Sequence, residues 1–574
     1  MAIRKEKWFV TGKRADFRAI GEKYGIDQVT ARIIRNRDII KDADIESYIK
    51  PDLSKMYSPH LMKDMDRLTS ILHQKIRLQK KIRIIGDYDI DGIQSTYILL
   101  KGIRRAGGIV SEAIPDRMKD GYGINENLIA RAKKDGIDTI ITCDNGIAAI
   151  DAIAYAKELG MTVLVTDHHD IPYKEENKTR TYLRSKADAI VNPKQAECGY
   201  PFSGICGAVV AFKVVQALYE VCGIPAAEAM EFLENAAFAT VGDVMDLQDE
   251  NRIIVKFGLE QMRNTKNIGL AALMKQKAVQ PERLSAYHLG FVLGPCLNAS
   301  GRLDTAARSL KLLLAEQESE AYVLAAELAD LNEERKQMTA DGVEEALELI
   351  SQKHLDEQKV MIIYLPKLHE SLAGIVAGRI REKYNHPVFV LTDSEEGVKG
   401  SGRSIESYSM YEEMCKCQDL FLKFGGHPMA AGLTLPPEKV KEFEVRMNEN
   451  AALTEEDFIP KIYIDVPMPL SYVTESIIKE FKILEPFGKG NPKPVFADKN
   501  IRIREKRIAG KNQNVVKLVL EDAAGRYYPA VYFGDAGEFY NFLKEKDTIS
   551  IIYYPEINSY MGREEIQFVV SGYC

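Results

Sequence analysis

The chain has 574 residues, a net charge of −7, 45% hydrophobic residues and 28% charged residues. This length predicts three or four domains that each bury a core, and the composition is ordinary for a soluble globular protein. The charge excludes a globally basic protein but not a nucleic-acid-binding one, because a local basic groove suffices for binding.

Cysteine usage and the start of the chain indicate the cytoplasm. The eight cysteines contain no Cys-x-x-Cys pair and no disulfide-framework spacing, which fits a reducing compartment. Residues 1–10 are charged and lack the apolar core of a signal peptide. No stretch is apolar enough to span a bilayer, so we expect a cytoplasmic protein without membrane contact.

Residues 1–80 are predicted to form a mostly helical N-terminal segment, and a strand–turn–helix alternation begins at Lys81. Strands are predicted at 82–85, 110–115, 138–143, 161–166 and 188–192, and helices at 93–102, 125–135 and 147–159. This alternation predicts an α/β fold with a doubly wound parallel sheet and helices on both faces.

Acids and histidines follow three of these strands: Asp87, Asp89 and Asp91, then Asp144, then Asp167, His168 and His169. Carboxyl ends of parallel strands share one sheet edge, where the carboxylates would repel each other without a cation between them. Oxygen and imidazole ligands without thiolate suit Mn²⁺ or Mg²⁺ better than zinc. The alternatives are a solvated acidic turn and a buried histidine pair. Adjacent histidines point apart in extended backbone, so one would bind metal while the other orients substrate or a ligand.

The motifs Asp-Tyr-Asp-Ile-Asp-Gly (87–92), Asp-Asn-Gly (144–146) and Asp-His-His (167–169), in this order, resemble the DHH phosphoesterase superfamily. Residues 115–123, 240–243 and 294–302 resemble further motifs of its RecJ branch. This resemblance implies that Asp243 is the last metal ligand and that Arg117 and Arg302 neutralise phosphate charge. Within the 294–302 motif, Asn298 matches the family pattern, whereas Cys296 occupies a position where a basic residue is expected.

The resemblance therefore implies two divalent ions, Mn²⁺ or Mg²⁺, with His169 as a further catalytic residue. The implied metal ligands are Asp87, Asp89, Asp91, Asp144, His168 and Asp243.

Residues 304–353 are predicted to form a long helix that connects the domains, and residues 354–455 a second α/β domain. Its segments 400–404 and 425–432 are interpreted as glycine-rich turns, which either present backbone N–H groups to phosphate or are purely structural. They resemble the DHH-associated domain that faces the first domain across a cleft. This resemblance implies that Ser401, Arg403 and His427 hold the phosphate end of the substrate, with Arg379 joining them.

Residues 456–574 contain short β-rich runs that predict a small barrel of the OB-fold type. Positive charge beside exposed aromatic rings is how such barrels track single strands. The alternative is a set of core aromatics beside a solvated charged hairpin. The residues in question are Lys499, Arg502, Arg504, Lys506, Arg507, Lys511, Tyr527, Tyr528, Tyr532 and Phe533.

The predicted domains are thus 1–80, 81–303 (DHH), 304–353, 354–455 (DHH-associated) and 456–574 (OB-fold). The resemblance implies a metal-dependent 5′–3′ exonuclease that acts on single-stranded DNA and releases mononucleotides, with roles in repair and recombination. It also implies a monomer, with a single-strand-binding protein and a helicase as further candidate partners. The alternatives are a phosphodiesterase of nano-RNA or cyclic dinucleotides and a non-catalytic replication scaffold. A small-substrate hydrolase has little need of the barrel, and a scaffold would have lost motif acids that are all present here.

Overall fold

The computed structural model describes residues 6–117, 120–176, 179–510, 512–560 and 563–574. Met118 and Lys119 of the 115–123 motif, and Lys511 of the basic stretch, lie outside these described residues. Within the described ranges, no helix combines the length and the apolar character that a membrane span requires.

The N-terminal segment is divided between two cores. Helices α1 to α3 contribute Ile33, Ile34 and Tyr48 to the core of the C-terminal barrel, whereas Leu68 and Leu72 of α4 pack with the first sheet. Strand β1 pairs in parallel with Lys461–Ile464, near the start of the C-terminal domain. The elements are β1 (Lys7–Val10), α1 (Phe17–Tyr24), α2 (Gln28–Asn36), α3 (Asp42–Ile49) and α4 (Met65–Arg77).

A parallel five-stranded sheet with the order β3-β2-β4-β5-β8 forms the first α/β domain, as predicted. One face packs against α4, α5 and α8, and the other against α6 and α7, which gives two separate hydrophobic clusters. A hairpin, β6–β7, projects between β5 and β8. The elements are β2 (Lys81–Ile85), α5 (Ile90–Arg105), β3 (Ile109–Ala113), α6 (Glu126–Lys134), β4 (Thr139–Cys143), α7 (Ile150–Glu158), β5 (Thr162–Thr166), β6 (Tyr173–Glu176), β7 (Thr179–Tyr182) and β8 (Ala189–Val191).

A helical layer completes this domain, and α15 connects it to the second α/β domain. The predicted helix over 304–353 is wrong in its first third, because α14 ends at Leu314 and α15 begins only at Glu318. The 36 residues of α15 span about 54 Å at 1.5 Å per residue. The elements are α8 (Gly207–Cys222), α9 (Ala226–Ala229), α10 (Leu233–Gly242), α11 (Asp249–Met262), α12 (Ile268–Gln276), a π-helical turn (His288–Leu293), α13 (Gly294–Leu303), α14 (Ala307–Leu314) and α15 (Glu318–Lys353).

The second α/β domain has a mixed sheet with the order β12-β13-β11-β10-β9. Interpreting 400–404 and 425–432 as turns is wrong, because both segments lie largely in strands whose N–H groups join the sheet ladder. Glycine serves close packing here: a Cβ on Gly400 would lie 2.5 Å from Leu391, and one on Gly402 would lie 2.2 Å from Met410. The elements are β9 (Met361–Tyr364), α16 (Ala373–Tyr384), β10 (Val388–Ser394), β11 (Gly397–Arg403), α17 (Met410–Cys415), β12 (Lys423–His427), β13 (Ala430–Leu435) and α18 (Val440–Asn450).

The C-terminal domain is the predicted barrel, since its sheet has the order β15-β16-β17-β18-β20-β19 and β16 also pairs with β19 to close the ring. Helix α20 lies between β18 and β19 and packs Phe539 and Leu543 into the barrel core. The elements are β14 (Lys461–Ile464), β15 (Val466–Pro467), α19 (Glu475–Glu480), β16 (Phe496–Ala509), β17 (Val515–Glu521), β18 (Tyr527–Phe533), α20 (Ala536–Leu543), β19 (Thr548–Tyr560) and β20 (Arg563–Tyr573).

Candidate active site

The carboxyl ends of β2, β4 and β5 bring Asp87, Asp144 and His168 together, because these strands are neighbours in the sheet. Asp89 caps helix α5, where its Oδ1 accepts the N–H groups of Asp91 at 3.0 Å and Gly92 at 3.1 Å. The strand-end clusters seen in the sequence thus form one site.

Acidic and imidazole atoms at this edge form three overlapping groups, in each of which the candidate ligand atoms lie within 4.8 Å of one another. Asp144 and His168 each belong to two groups, and Asp243 at the end of α10 belongs to one. Two neighbouring ions could therefore share this site. The groups are Asp87/Asp89/Asp144, Asp91/His168/Asp243 and Asp144/His168/His169.

Several of these atoms are buried without a hydrogen-bond partner, which is what a cation site requires of its ligands. They are Asp87 Oδ1, Asp144 Oδ1 and both ring nitrogens of His168. His168 Nε2 approaches Asp144 Oδ1 to 3.1 Å and Asp243 Oδ2 to 3.7 Å, but the approach to Asp144 lacks hydrogen-bonding geometry. The donor set is oxygen and imidazole, so it fits Mn²⁺ or Mg²⁺.

The electrostatics of the site also favour a cation. Burial, with the Asp89 charge adding to it, raises the pKa of Asp87 to about 8, and burial with Asp91 raises the pKa of Asp243 to about 8. Burial and neighbouring carboxylates raise the pKa of Asp89 and Asp144 as well. Burial lowers the pKa of His168, which keeps its imidazole neutral and able to bind metal. Without a cation these carboxyls hold protons that a divalent ion would displace.

Asp91, Asp167 and His169 are fixed by further hydrogen bonds. The Asp91 carboxylate accepts the N–H groups of Gly207 at 2.6 Å and Ala208 at 2.7 Å, at the start of α8. Asp167 Oδ1 lies 2.8 Å from His169 Nδ1 and accepts the His168 N–H at 2.7 Å. Burial opposes ionisation of both partners, but the hydrogen bond between them, their opposite charges and the Ile147 N–H on Asp167 together outweigh it. The pKa of Asp167 is therefore lowered and that of His169 is raised to about 9.

A cleft of about 480 Å³ separates the two α/β domains beside this site; we call it the phosphate cleft. Of the predicted substrate-binding residues, Arg117, Arg302, Ser401 and Arg403 line it. Burial and the Arg117 charge lower the pKa of Arg302 only to about 10, so the guanidinium stays charged at neutral pH. The other lining residues include Tyr88, Tyr122, Ser371, Gly374, Lys399 and Glu370, which pairs with Lys399 at 2.9 Å.

The two domains touch directly across the phosphate cleft. Arg302 Nη1 of the first domain donates to the Ser371 carbonyl of the second at 2.7 Å, and within the second domain Arg403 Nη1 donates to Ser401 Oγ at 3.2 Å. The start of α16 enters the cleft, where a Cβ on Gly374 would lie 2.8 Å from both Arg403 and Ser401. Sequence reasoning missed this helix terminus, whose N–H groups favour an anion.

Four residues singled out from the sequence lie elsewhere. Asn298 Oδ1 accepts the Ile90 N–H at 2.8 Å, so it supports the turn that carries the acids. Arg379 is 66% exposed, pairs with Glu382, and is outside the described lining of the phosphate cleft. His427 is exposed at the end of β12, outside the described lining of the phosphate cleft but on the side of Asp170, which directly follows His169. Cys296 is fully buried in α13, where its Sγ contacts the Val292 carbonyl at 3.4 Å.

A second groove has a volume of about 1110 Å³, and we call it the aromatic groove. It begins at the residues on either side of Asp243, within 241–247, and extends to the barrel. Tyr287 and Phe291 are 63% and 72% exposed, and their rings stack at 5.3 Å on one side of it. The barrel contributes Tyr554, with Lys493 Nζ 3.9 Å from its ring centroid. Sequence reasoning missed these rings, since aromatics four residues apart on a helix are more often part of a core.

Two of the predicted basic residues of the barrel are engaged in internal contacts. Arg504 forms a two-pronged ion pair with Glu521, and Lys506 donates to a backbone carbonyl of α20. Tyr528 and Tyr532 pack edge-on or tilted against core rings, whereas Tyr527 and Phe533 are exposed. For Tyr528 and Tyr532 the alternative of core aromatics is therefore the correct one.

Comparison with known proteins agrees with this architecture. The chain matches the DHH family N-terminal domain over residues 81–240, the DHHA1 domain over 357–452 and the RecJ OB domain over 464–572. It is 36% identical to the single-stranded-DNA-specific exonuclease RecJ of Bacillus subtilis, covering 99% of this chain and 71% of that relative. It is 32% identical to the Haemophilus influenzae enzyme of the same name, covering 96% and 97%. The crystal structure of RecJ from Thermus thermophilus with Mn²⁺ superposes with a TM-score of 0.83 at 26% identity, covering 100% of this chain and 80% of that one.

Proposed function

This chain belongs to the RecJ family of single-stranded-DNA-specific exonucleases, and we propose that it removes mononucleotides from the 5′ end of single-stranded DNA. The main support for this proposal is the position of the phosphate cleft. Both α/β domains line this cleft, and it adjoins the acidic site. Tyr122 joins the two features, because it lines the cleft and donates its hydroxyl to the Asp144 carbonyl at 2.8 Å. A strand end seated in the cleft would therefore present its first phosphodiester to the acids.

We propose that Asp87, Asp89 and Asp144 hold one divalent ion, and that Asp91, His168 and Asp243 hold a second, with Asp144 near both. Mn²⁺ or Mg²⁺ bound there supplies the Lewis acidity that stabilises charge on the phosphate during hydrolysis. His169 is held through Nδ1 by Asp167, so it keeps a proton on Nε2 at neutral pH. That nitrogen lies 3.3 Å from the Tyr122 hydroxyl, where it can donate to the substrate phosphate or to the leaving oxygen.

The phosphate cleft would bind the terminal 5′ phosphate. Arg117, Arg302 and Arg403 supply positive charge, and guanidinium forks match phosphate oxygens better than ammonium groups do. The Ser401 hydroxyl and the first N–H groups of α16 add neutral donors. An end held in this way fixes the scissile bond at the acids, which yields an exonuclease rather than an endonuclease.

The rest of the strand would follow the aromatic groove toward the barrel. Stacking of bases on Tyr287 and Phe291 is tolerant of sequence, and groove lysines such as Lys256 and Lys482 offset phosphate charge. A hydrolase of cyclic dinucleotides or nano-RNA needs no groove of this length. A catalytically silent scaffold has no need for the complete acid set. We further infer a cytoplasmic monomer that works beside a single-strand-binding protein and a helicase.

The test is a single-stranded oligonucleotide labelled at the 5′ end or at the 3′ end and incubated with Mn²⁺. We expect immediate release of the 5′ label as mononucleotide and a ladder of shortening 3′-labelled products. Early release of the 3′ label would contradict the assigned polarity. Equal cleavage at internal positions would contradict exonuclease action.

A further inference from the structure

One candidate metal ligand is held differently from the others. Asp87, Asp144 and His168 follow the ends of buried strands, and Asp89 and Asp91 lie where β2 turns into α5, whereas Asp243 follows helix α10 and begins a loop over 243–248. Its side chain is 29% exposed, and His168 approaches it no closer than 3.7 Å. The place of this carboxylate therefore depends on what fixes the backbone of its loop.

The loop is fixed from outside by the barrel domain, through a segment over 485–492 that we call the barrel loop. Leu247 N–H donates to the Lys489 carbonyl at 2.7 Å, and Gln248 Nε2 donates to the Gly490 carbonyl at 2.9 Å. Packing here is close: a Cβ on Gly488 would lie 2.7 Å from Leu247, and one on Gly490 would lie 2.9 Å from Asp246. The side chains of Lys489 and Asp246 also approach to 3.6 Å.

The barrel loop is itself rigid. Gly488 and Asn491 exchange backbone hydrogen bonds at 3.0 and 3.2 Å. Asn491 is buried, its Nδ2 donates to the carbonyls of Leu484 and Pro486, and its Oδ1 accepts the Tyr48 hydroxyl at 2.8 Å. A segment held by this many hydrogen bonds can fix the position of the neighbouring loop over 243–248.

Helix α11, which follows the Asp243 loop, is tied to the same place. The buried Arg252 donates to the carbonyls of Glu485, Ile483 and Tyr48, and its Cζ lies 4.0 Å from the Tyr48 ring centroid. Without Arg252, each of these carbonyls would lose its charged hydrogen-bond donor. Arg252 therefore stabilises the contact between the barrel and the first domain.

We propose that the barrel loop is a positioning element of the metal site, which holds Asp243 where it can bind a divalent ion. The barrel then contributes to metal affinity and not only to DNA affinity. Gly488, Lys489 and Gly490 act on the ion through the backbone of 246–248 and do not bind it themselves, although Gly488 and Lys489 also line the aromatic groove. This inference rests on the proposed function, because it takes Asp243 as a ligand.

The test uses two matched glycine variants of the full chain. Gly490 has φ +72°, and Gly490→Ala adds a Cβ against Asp246. Gly525 has φ +77° in the turn between β17 and β18, where a Cβ meets only Glu521 Oε1 at 3.8 Å. Both substitutions impose similar backbone strain in the same domain, but only the first presses on the Asp243 loop.

Mn²⁺ binding is measured by the electron paramagnetic resonance signal of free Mn²⁺, without DNA, alongside thermal unfolding. We expect Gly490→Ala to weaken binding of one Mn²⁺ by about 10- to 100-fold, the usual effect of losing a supporting contact around a metal ligand. Gly525→Ala should bind as wild type does, and Asp243→Ala should lose the same ion.

Wild-type Mn²⁺ affinity in Gly490→Ala, together with loss of an ion in Asp243→Ala, would overturn the positioning role and leave the proposed function intact. Unchanged affinity in Asp243→Ala would instead refute the ligand assignment itself. If Gly490→Ala does not fold, Gln248→Ala decides, since it removes one hydrogen bond from a side chain at the surface. It should weaken the same ion severalfold, and wild-type affinity would count against the proposal.

Discussion

The raised pKa values at the acidic site predict that Mn²⁺ binding depends steeply on pH below about pH 8. Asp87 and Asp243 both have a pKa of about 8, so each carries a proton at neutral pH in the metal-free protein. An ion can bind only to the ionised carboxylates. Each pH unit below 8 therefore costs about 1.4 kcal/mol per carboxyl, or about tenfold in affinity. Because Asp87 and Asp243 are assigned to different ions, the affinity for each ion should be up to about tenfold weaker at pH 7 than at pH 8.

The affinity for Mn²⁺ must increase with pH, because protons and metal compete for the same carboxylate oxygens. Mn²⁺ affinity should rise from pH 6 to 8. Isothermal titration calorimetry at pH 7, in buffers of different ionisation enthalpy, should show release of more than one proton per protein. Affinity that stays constant from pH 6 to 8, or binding without proton release, would refute the view that these carboxyls are protonated before the metal arrives.

Other predictions concern single residues. Asp144→Ala should abolish hydrolysis without unfolding the protein, since the proposed role of the carboxylate is to bind metal and not to pack; near-full activity with Mn²⁺ would remove Asp144 from the site. Arg403→Ala should lower kcat/KM for a 5′-phosphorylated strand by the equivalent of about 2–3 kcal/mol and should hardly affect a 5′-hydroxyl strand. Arg379→Ala, on α16 but outside the phosphate cleft, is its control; equal losses in the two variants would argue against a specific phosphate contact. Replacing Tyr287 and Phe291 by alanine should weaken binding of a long strand by about 1–3 kcal/mol per lost stack and spare a trinucleotide. Equal effects on both substrates would place the strand elsewhere.

Local patterns were enough to predict the catalytic half of this molecule. Alternating strands and helices predicted the parallel sheet, and acids directly after three strands predicted their convergence, because parallel strands share one carboxyl edge. The same argument could not place Asp243, which follows a helix and came from the family resemblance alone.

What the sequence could not predict depends on partners far away along the chain. Glycines at 400 and 402 resemble turn residues, but their role is to admit Leu391 and Met410 against β11. The amphipathic helices α1 to α3 show an apolar face without indicating that it packs on a barrel more than 400 residues later. The contact of Lys489 and Gly490 with the Asp243 loop is invisible for the same reason.

The central claim, that a strand end is gripped beside a metal site, is tested most directly with a closed substrate. Wild-type protein with Mn²⁺ is given a single-stranded circle and the same DNA linearised with a 5′ phosphate, and release of mononucleotides is measured over time. We expect the linear strand to be degraded to mononucleotides while the circle stays intact. Degradation of the circle at the rate of the linear strand would contradict end recognition and the phosphate cleft as its site.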